Sequence, residues 1–190
     1  MTASFKTARL KLSLVRKEDR ANLIALERDP EVMRFLNGGR PTPEDGEADG
    51  AGYLRPRGGE KHVWAAREIR SAAFVGWFSL RPAGEGVAEL GYRLRCEAWG
   101  QGLASEGAGA LVARAFGEMG LERIVATAMT VHAASRRVLD KAGLAYVRTI
   151  HADWRDSLPG SELGDVEYQI TRAEWEARLI QGRVSLGRSI

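Results

Sequence analysis

The 190-residue chain has only one cysteine, Cys96. No intramolecular disulfide can form, and no metal-ligand spacing surrounds that thiol. The three histidines, His62, His132 and His151, form no pattern with Cys96 of the kind a thiol nucleophile needs. No apolar run approaches the ~18 residues of a membrane span. The opening "MTASFKTARLKLSL" has no apolar signal core. These absences lead us to expect a reducing, cytoplasmic setting with no membrane partner and no metal. Charge of one sign is also scarce. The net charge is +3, too small to argue for nucleic acid. The basic excess lies at the ends, in Lys6, Arg9, Lys11, Arg16 and Lys17 and in Arg183 and Arg188, and reads as a solvated fringe. What is present is an ordinary globular balance, 44% hydrophobic and 28% charged, enough for one core.

Leu10, Leu12 and Leu14 alternate with polar residues and predict a half-buried strand over 8–15. "KEDRANLIALERD" predicts a helix limited by Pro30, and "EVMRFLNGG" a second one stopped at Gly38. The acidic, turn-rich stretch 41–52 predicts a loop leading to a helix near Tyr53 and Leu54. Residues 62–69 and 73–81 predict a hairpin. Residues 87–95 predict a third strand, with Leu90, Tyr92 and Leu94 on one face and Glu89, Gly91, Arg93 and Arg95 on the other. A strand at 123–129 and a helix at 132–143 follow, the helix ending on a left-handed Gly143. "AYVRTIHADW" and "DVEYQITRAEW" predict two closing strands. The order is α+β. No repeat or linker divides it, so a single domain over 1–180 is expected, with a flexible basic tail over 181–190.

The stretch "EAWGQGLASEGAGALVARAFGEMG" (97–120) carries the chemical signal. Gly100 and Gly102 open a helix whose apolar stripe is Ala108, Leu111, Val112, Ala115, Phe116 and Met119. The first N–H groups of a helix lack intrahelical partners, and with the macrodipole they favour an anion. An ordinary tight turn is the alternative. A P-loop is excluded because no Gly-Lys-Ser/Thr follows. A dinucleotide fold is disfavoured by Ser105 at the third glycine position and by the charged alternation of the preceding strand. Gly107 and Gly109 each cost the helix roughly 1 kcal/mol relative to Ala. Close packing or a nearby ligand must offset that.

"AELGYRLRCEAWGQGLASEGAGALVARAF" and "LERIVATAMTVHAASRRVLDKAGLAYVRT" resemble the GNAT acyltransferase superfamily, and within it the RimJ/RimL-type N-acetyltransferase branch. Gly102 and Ala104 match its Arg/Gln-x-x-Gly-x-Gly/Ala pattern, with Trp99 at the first position. Ser135, Lys141 and Gly143 match its second motif, with His132 replacing Asn. The resemblance implies a mixed, mostly antiparallel six- to seven-stranded sheet flanked by helices, and acetyl-CoA as co-substrate. It implies that the backbone of Tyr92, Arg93 and Leu94 pairs with the pantetheine arm. The N–H groups of Gln101, Gly102, Leu103, Ala104 and Ser105 would meet the pyrophosphate, and His132 would touch the cofactor. Glu89 would be the general base and Ser135 the acid for the leaving thiolate. A strand carboxylate paired with Arg93, and a serine bonded to backbone on the stripe of Val131, Ala134, Val138, Leu139 and Ala142, are the alternatives. The family's usual tyrosine acid falls at Leu139.

The implied reaction moves an acetyl group to a primary amine, on a protein N-terminus or a small molecule, by direct attack in a ternary complex. A non-catalytic acyl-CoA-binding module and a nucleotide-binding regulator remain as alternatives, and a homodimer is a possible assembly. Glu44, Asp45, Glu47 and Asp49 would attract a cationic acceptor, or form a plain acidic loop. Trp64, Trp77 and Trp154 would wall an acceptor cleft or fill the core; Tyr92 and Tyr146 would be core or pocket wall.

Overall fold

The computed structural model describes residues 4–40, 54–151 and 158–186. The acidic stretch, Tyr53 and Trp154 lie outside them, and Leu54 has no regular structure. The strands are β1 (Ser4–Lys6), β2 (Leu10–Leu14), β3 (Val63–Glu68), β4 (Phe74–Gly84), β5 (Val87–Leu94), β6 (Arg123–Met129), β7 (Ala145–Ile150) and β8 (Asp165–Thr171). The helices are α1 (Arg20–Arg28), α2 (Pro30–Asn37), α3 (Leu103–Gly117), α4 (Ala133–Ala142) and α5 (Arg172–Leu186).

The strands form one eight-stranded sheet in the order β1-β2-β3-β4-β5-β6-β8-β7. The β5–β6 pair is parallel; the other neighbours are antiparallel. The expected architecture holds, with one strand more than the resemblance implied. The additional strand is β1, whose three residues pair with β2. Among the described residues, no helix is long and apolar enough to cross a membrane.

Alternation along each strand supplies both faces of the sheet. One face carries Leu10, Leu12, Trp64, Phe78, Leu80 and Leu90, and packs against α3 with Leu111, Val112, Ala115 and Phe116. The other carries Val63, Ala65, Phe74 and Trp77, and packs against Leu23 and Leu26 of α1 and Val32 of α2. Trp64 and Trp77 are therefore core residues. Tyr146 stands half exposed and is not a core residue.

Pro30 opens α2 instead of only closing α1. Asp29 caps that helix by accepting from the backbone N–H of Glu31 (2.9 Å) and Val32 (3.4 Å). Gly38 and Gly143 end α2 and α4 in the left-handed region, as predicted. Gly107 is explained by packing: a Cβ there would overlap the ring of Phe78. Nothing in the structure explains Gly109.

The C-terminal end differs from expectation. The "TRAEW" segment, expected as strand, is the start of α5, which runs to Leu186. Thr171 and Glu174 begin it as a capping box. Thr171 N–H donates to Glu174 Oε2 (2.8 Å), and Glu174 N–H donates to Thr171 Oγ1 (3.3 Å).

A charged cluster sits beneath α1. Glu27 is 1% exposed. Its carboxylate takes Arg57 in a fork, Nη1 to Oε1 and Nη2 to Oε2 at 2.8 Å each. Arg55 Nε donates to Oε2 at 3.3 Å, and Arg93 Nη1 lies 3.9 Å from Oε1. Glu27 thereby ties α1 to residues 55–57 and to β5.

Candidate active site

The sheet is split beside β5. The β5–β6 ladder pairs only Val87–Arg123, Ala88–Ile124 and Glu89–Val125. Beyond Glu89 the two strands part, and among the described residues no strand pairs with Leu90–Leu94 on that side. Arg95 N–H donates to Val75 C=O on β4 at 2.9 Å. Backbone groups alternate in direction along a strand. Arg93 therefore turns its N–H and C=O toward β4, while Tyr92 and Leu94 turn theirs into the gap. The Arg93 side chain lies on the α1 face, with its guanidinium over the Trp77 ring (5.1 Å) and a bond to Leu54 C=O (3.2 Å). Of the three strand residues expected to line the arm, Tyr92 and Leu94 face the gap and Arg93 faces away.

The gap opens toward the N-terminus of α3. Gly102 is the N-cap, at φ +77, and no side chain caps the helix. Glu106 N–H makes the first helical bond, to Gly102 C=O (3.0 Å). The N–H groups of Leu103, Ala104 and Ser105 come before that bond and remain for an anion. Leu103 is buried and anchors the turn in the core. Trp99 is half exposed, yet its indole Nε1 donates to Leu94 C=O at 2.9 Å. It braces the turn against the end of β5. Gln101 Nε2 donates to Glu97 C=O (2.6 Å), so its side chain also serves the turn.

Across the gap, Ser135 in the first turn of α4 meets Tyr92. Tyr92 Oη lies 2.8 Å from Ser135 Oγ and donates to Ser135 C=O at 3.1 Å. Burial pushes the Tyr92 phenol up to about 12, with the Ser135 bond pulling weakly the other way. The phenol stays protonated at neutral pH. Leu139, at the family's tyrosine position, is core. On the predicted stripe of α4, Leu139 and Ala142 are buried, but Val131 and Ala134 are exposed.

His132 occupies the N-cap position of α4 without capping it. Its ring stacks on Phe35 of α2, centroids 4.0 Å apart and planes 16° apart. Burial, with a contribution from the Arg34 charge, lowers its pKa to about 4. It is neutral near pH 7 and does not titrate there. Glu89 lies in the last paired rung of the β5–β6 ladder. Its carboxylate accepts from Arg81 Nη2 at 2.6 Å, the residue opposite it on β4. Arg81, and not Arg93, is its partner. Burial pushes the Cys96 thiol up to about 11, with Asp29 adding to the shift, which keeps it protonated near pH 7.

One residue that sequence reasoning treated as fringe belongs here. Arg9, between β1 and β2, docks on the α3 turn. Its Nη1 donates to Gln101 C=O (2.8 Å) and its Nε to Glu106 Oε2 (2.6 Å).

An exposed strand edge that leads to a bare helix N-terminus suits a long, amide-bearing arm with a pyrophosphate behind it. That combination is the one the resemblance to coenzyme A-dependent acyltransferases implied. Residues 9–145 match the model of the acetyltransferase (GNAT) domain, and the chain belongs to the GNAT acetyltransferase family. A relative from Aspergillus fumigatus, named FsC-acetyl coenzyme A-N(2)-transacetylase, is 36% identical over 190 residues, covering 89% of this chain and 76% of that protein. A GNAT-family acetyltransferase from Bacillus anthracis superposes with a TM-score of 0.72 at 24% identity, over 90% of this chain and 99% of that one. A spermidine N-acetyltransferase from Vibrio cholerae, solved with CoA and spermine, gives 0.67 at 12% identity, over 87% and 97%. The protein is an acetyltransferase, and its co-substrate is acetyl-CoA.

Proposed function

We propose that this protein acetylates a primary amine by direct attack within a ternary complex, and that it falls in the RimJ/RimL-type branch. The observation that carries the reading is the unpaired edge of β5 beyond Glu89, running into the bare N-terminus of α3. Tyr92 and Leu94 would hold the arm through their main chain, and Gly102 to Ser105 the pyrophosphate. The relative named for an N(2) nitrogen supports an amine as acceptor.

Acetyl-CoA supplies an activated thioester. The chain's work is then placement and proton handling, and placement alone is worth roughly 7–11 kcal/mol of barrier. The hydrogen-bonded hydroxyls of Tyr92 and Ser135 would offer a proton at the gap to a departing thiolate. Glu89 is the carboxylate at the point where β5 and β6 part. It would take the amine's proton directly or through water, with Arg81 holding the carboxylate in place.

Thiol release from acetyl-CoA tests the reading. The amines to offer are α-amino compounds, polyamines and peptides with free N-termini. At least one class is expected to accelerate release. Tight acetyl-CoA binding with no turnover of any amine would instead establish a non-catalytic binding module. Glu89→Gln is expected to lower kcat/KM by about 10²-fold, the low end for a lost general base. The loss should be greatest below the amine's own pKa, near 8 for an α-amine. An unchanged pH–rate profile would leave Glu89 as a structural partner of Arg81.

A further inference from the structure

We infer that Arg9 is the side-chain cation of the coenzyme's pyrophosphate site, an inference that rests on the reading of the α3 turn given above. Four contacts hold it there. Arg9 N–H donates to Glu106 Oε1 (2.7 Å) and Arg9 Nε to Glu106 Oε2 (2.6 Å). Thr7 Oγ1 donates to Glu106 Oε1 (2.5 Å), fixing the carboxylate from the other side. Arg9 Nη1 then donates to Gln101 C=O (2.8 Å), on the turn itself. The remaining nitrogen, Nη2, has no partner among the described residues. It stands 3.5 Å from where a Cβ on Gly102 would lie. One donor of the fork is thus left pointing along the same turn whose N–H groups are bare.

Two further observations favour a ligand over a purely structural brace. First, the turn supplies no cation of its own. The family pattern has Arg or Gln where this chain has Trp99, whose indole is used on Leu94 C=O, and the Gln101 amide is used on Glu97 C=O. Second, Glu106 lies in the first turn of α3, where a bare carboxylate would repel a phosphate. Burial works against its ionisation, but the bonds from Thr7 and Arg9 and the Arg9 charge hold it below the usual carboxylate range. Arg9 cancels that charge and leaves a donor over. Its side chain is 48% exposed, open to a ligand arriving from solvent.

The test compares CoA, dephospho-CoA and pantetheine on the wild type, Arg9→Ala and Arg9→Gln. Calorimetry gives the Kd for the first two, and ligand-observed NMR gives it for pantetheine. Arg9→Ala is expected to weaken CoA and dephospho-CoA alike by about tenfold, the scale of one charge-assisted contact. Pantetheine should be unaffected, and the salt dependence of CoA binding should become shallower. Unchanged CoA affinity overturns the assignment. So does an equal loss for pantetheine, which would mean that Arg9 only shapes the turn. A loss confined to CoA would move the contact to the 3′-phosphate and overturn it as well. If Arg9→Ala does not fold, Arg9→Gln carries the same comparison. A wild type that binds CoA no better than pantetheine would instead sink the reading of the α3 turn.

Discussion

Gly102→Glu is expected to abolish CoA binding in a protein that still folds. Gly102 sits at φ +77, a region L-residues enter at a cost of roughly 1–2 kcal/mol. A Cβ there meets only Arg9 Nη2, at an ordinary 3.5 Å. The fold therefore gains backbone strain but suffers no core clash. The introduced carboxylate occupies the space in front of the bare N–H groups of Leu103 to Ser105 and draws Arg9 onto itself. Two unit charges 4 Å apart repel by about 4 kcal/mol at an effective dielectric of 20. That alone corresponds to roughly 10³-fold in Kd. Gly102→Ala is the control. It should show the same loss in Tm while retaining most of the CoA affinity. If both variants bind CoA like the wild type, the turn holds no phosphate.

Glu27→Gln is expected to be the most destabilising of the conservative changes discussed. It keeps the shape of the side chain and removes the charge from the centre of the Arg55, Arg57 and Arg93 cluster. Glu27 is 1% exposed and Arg93 6% exposed, so water cannot take the carboxylate's place. Removing one partner of a buried ion pair typically costs about 3–5 kcal/mol. For a chain of this size that is a fall of about 10 °C or more in Tm. The half-buried Glu89–Arg81 pair, open to water on one side, provides contrast. Glu89→Gln should change stability by less than about 1 kcal/mol. Urea unfolding of the two variants side by side checks the difference. Equal midpoints would show that α1 is held by its Leu23 and Leu26 contacts, with the ion cluster adding little.

How much of this was legible depended on range. Strands β3 and β4 announced themselves by their density of β-branched and aromatic residues, β5 by its alternation and the α3 stripe by its helical period, all local properties. Gly102 was readable as a turn residue because it stands directly before the apolar stripe of α3. Strand β1 has three residues, too few to show a period. The start of α5 was read as strand because Val166, Tyr168 and Ile170 alternate up to it. Its Thr-x-x-Glu capping signature at Thr171 and Glu174 was the available signal. Glu27 lies beside Leu26 in a helix whose pattern permits burial, but nothing local names three arginines as its partners. Arg9 meets Glu106 across 97 positions. A basic residue near a chain end looks like fringe until the fold brings that distance to zero. The pairing of Glu89 with Arg81 instead of Arg93 was decided by the β4–β5 register.

The open edge of β5 has a consequence for how such a protein changes over time. If Tyr92 and Leu94 hold the cofactor's arm through main-chain groups, as proposed, every residue except proline offers the same groups. That part of recognition is carried by the shape of the main chain and survives replacement of the side chains along it. Side chains on this strand are then free to be recruited for other duties, as Tyr92 is toward Ser135 and Arg93 toward Glu27. Two proteins can diverge until little sequence is shared and still grip the same arm, provided the sheet keeps its split.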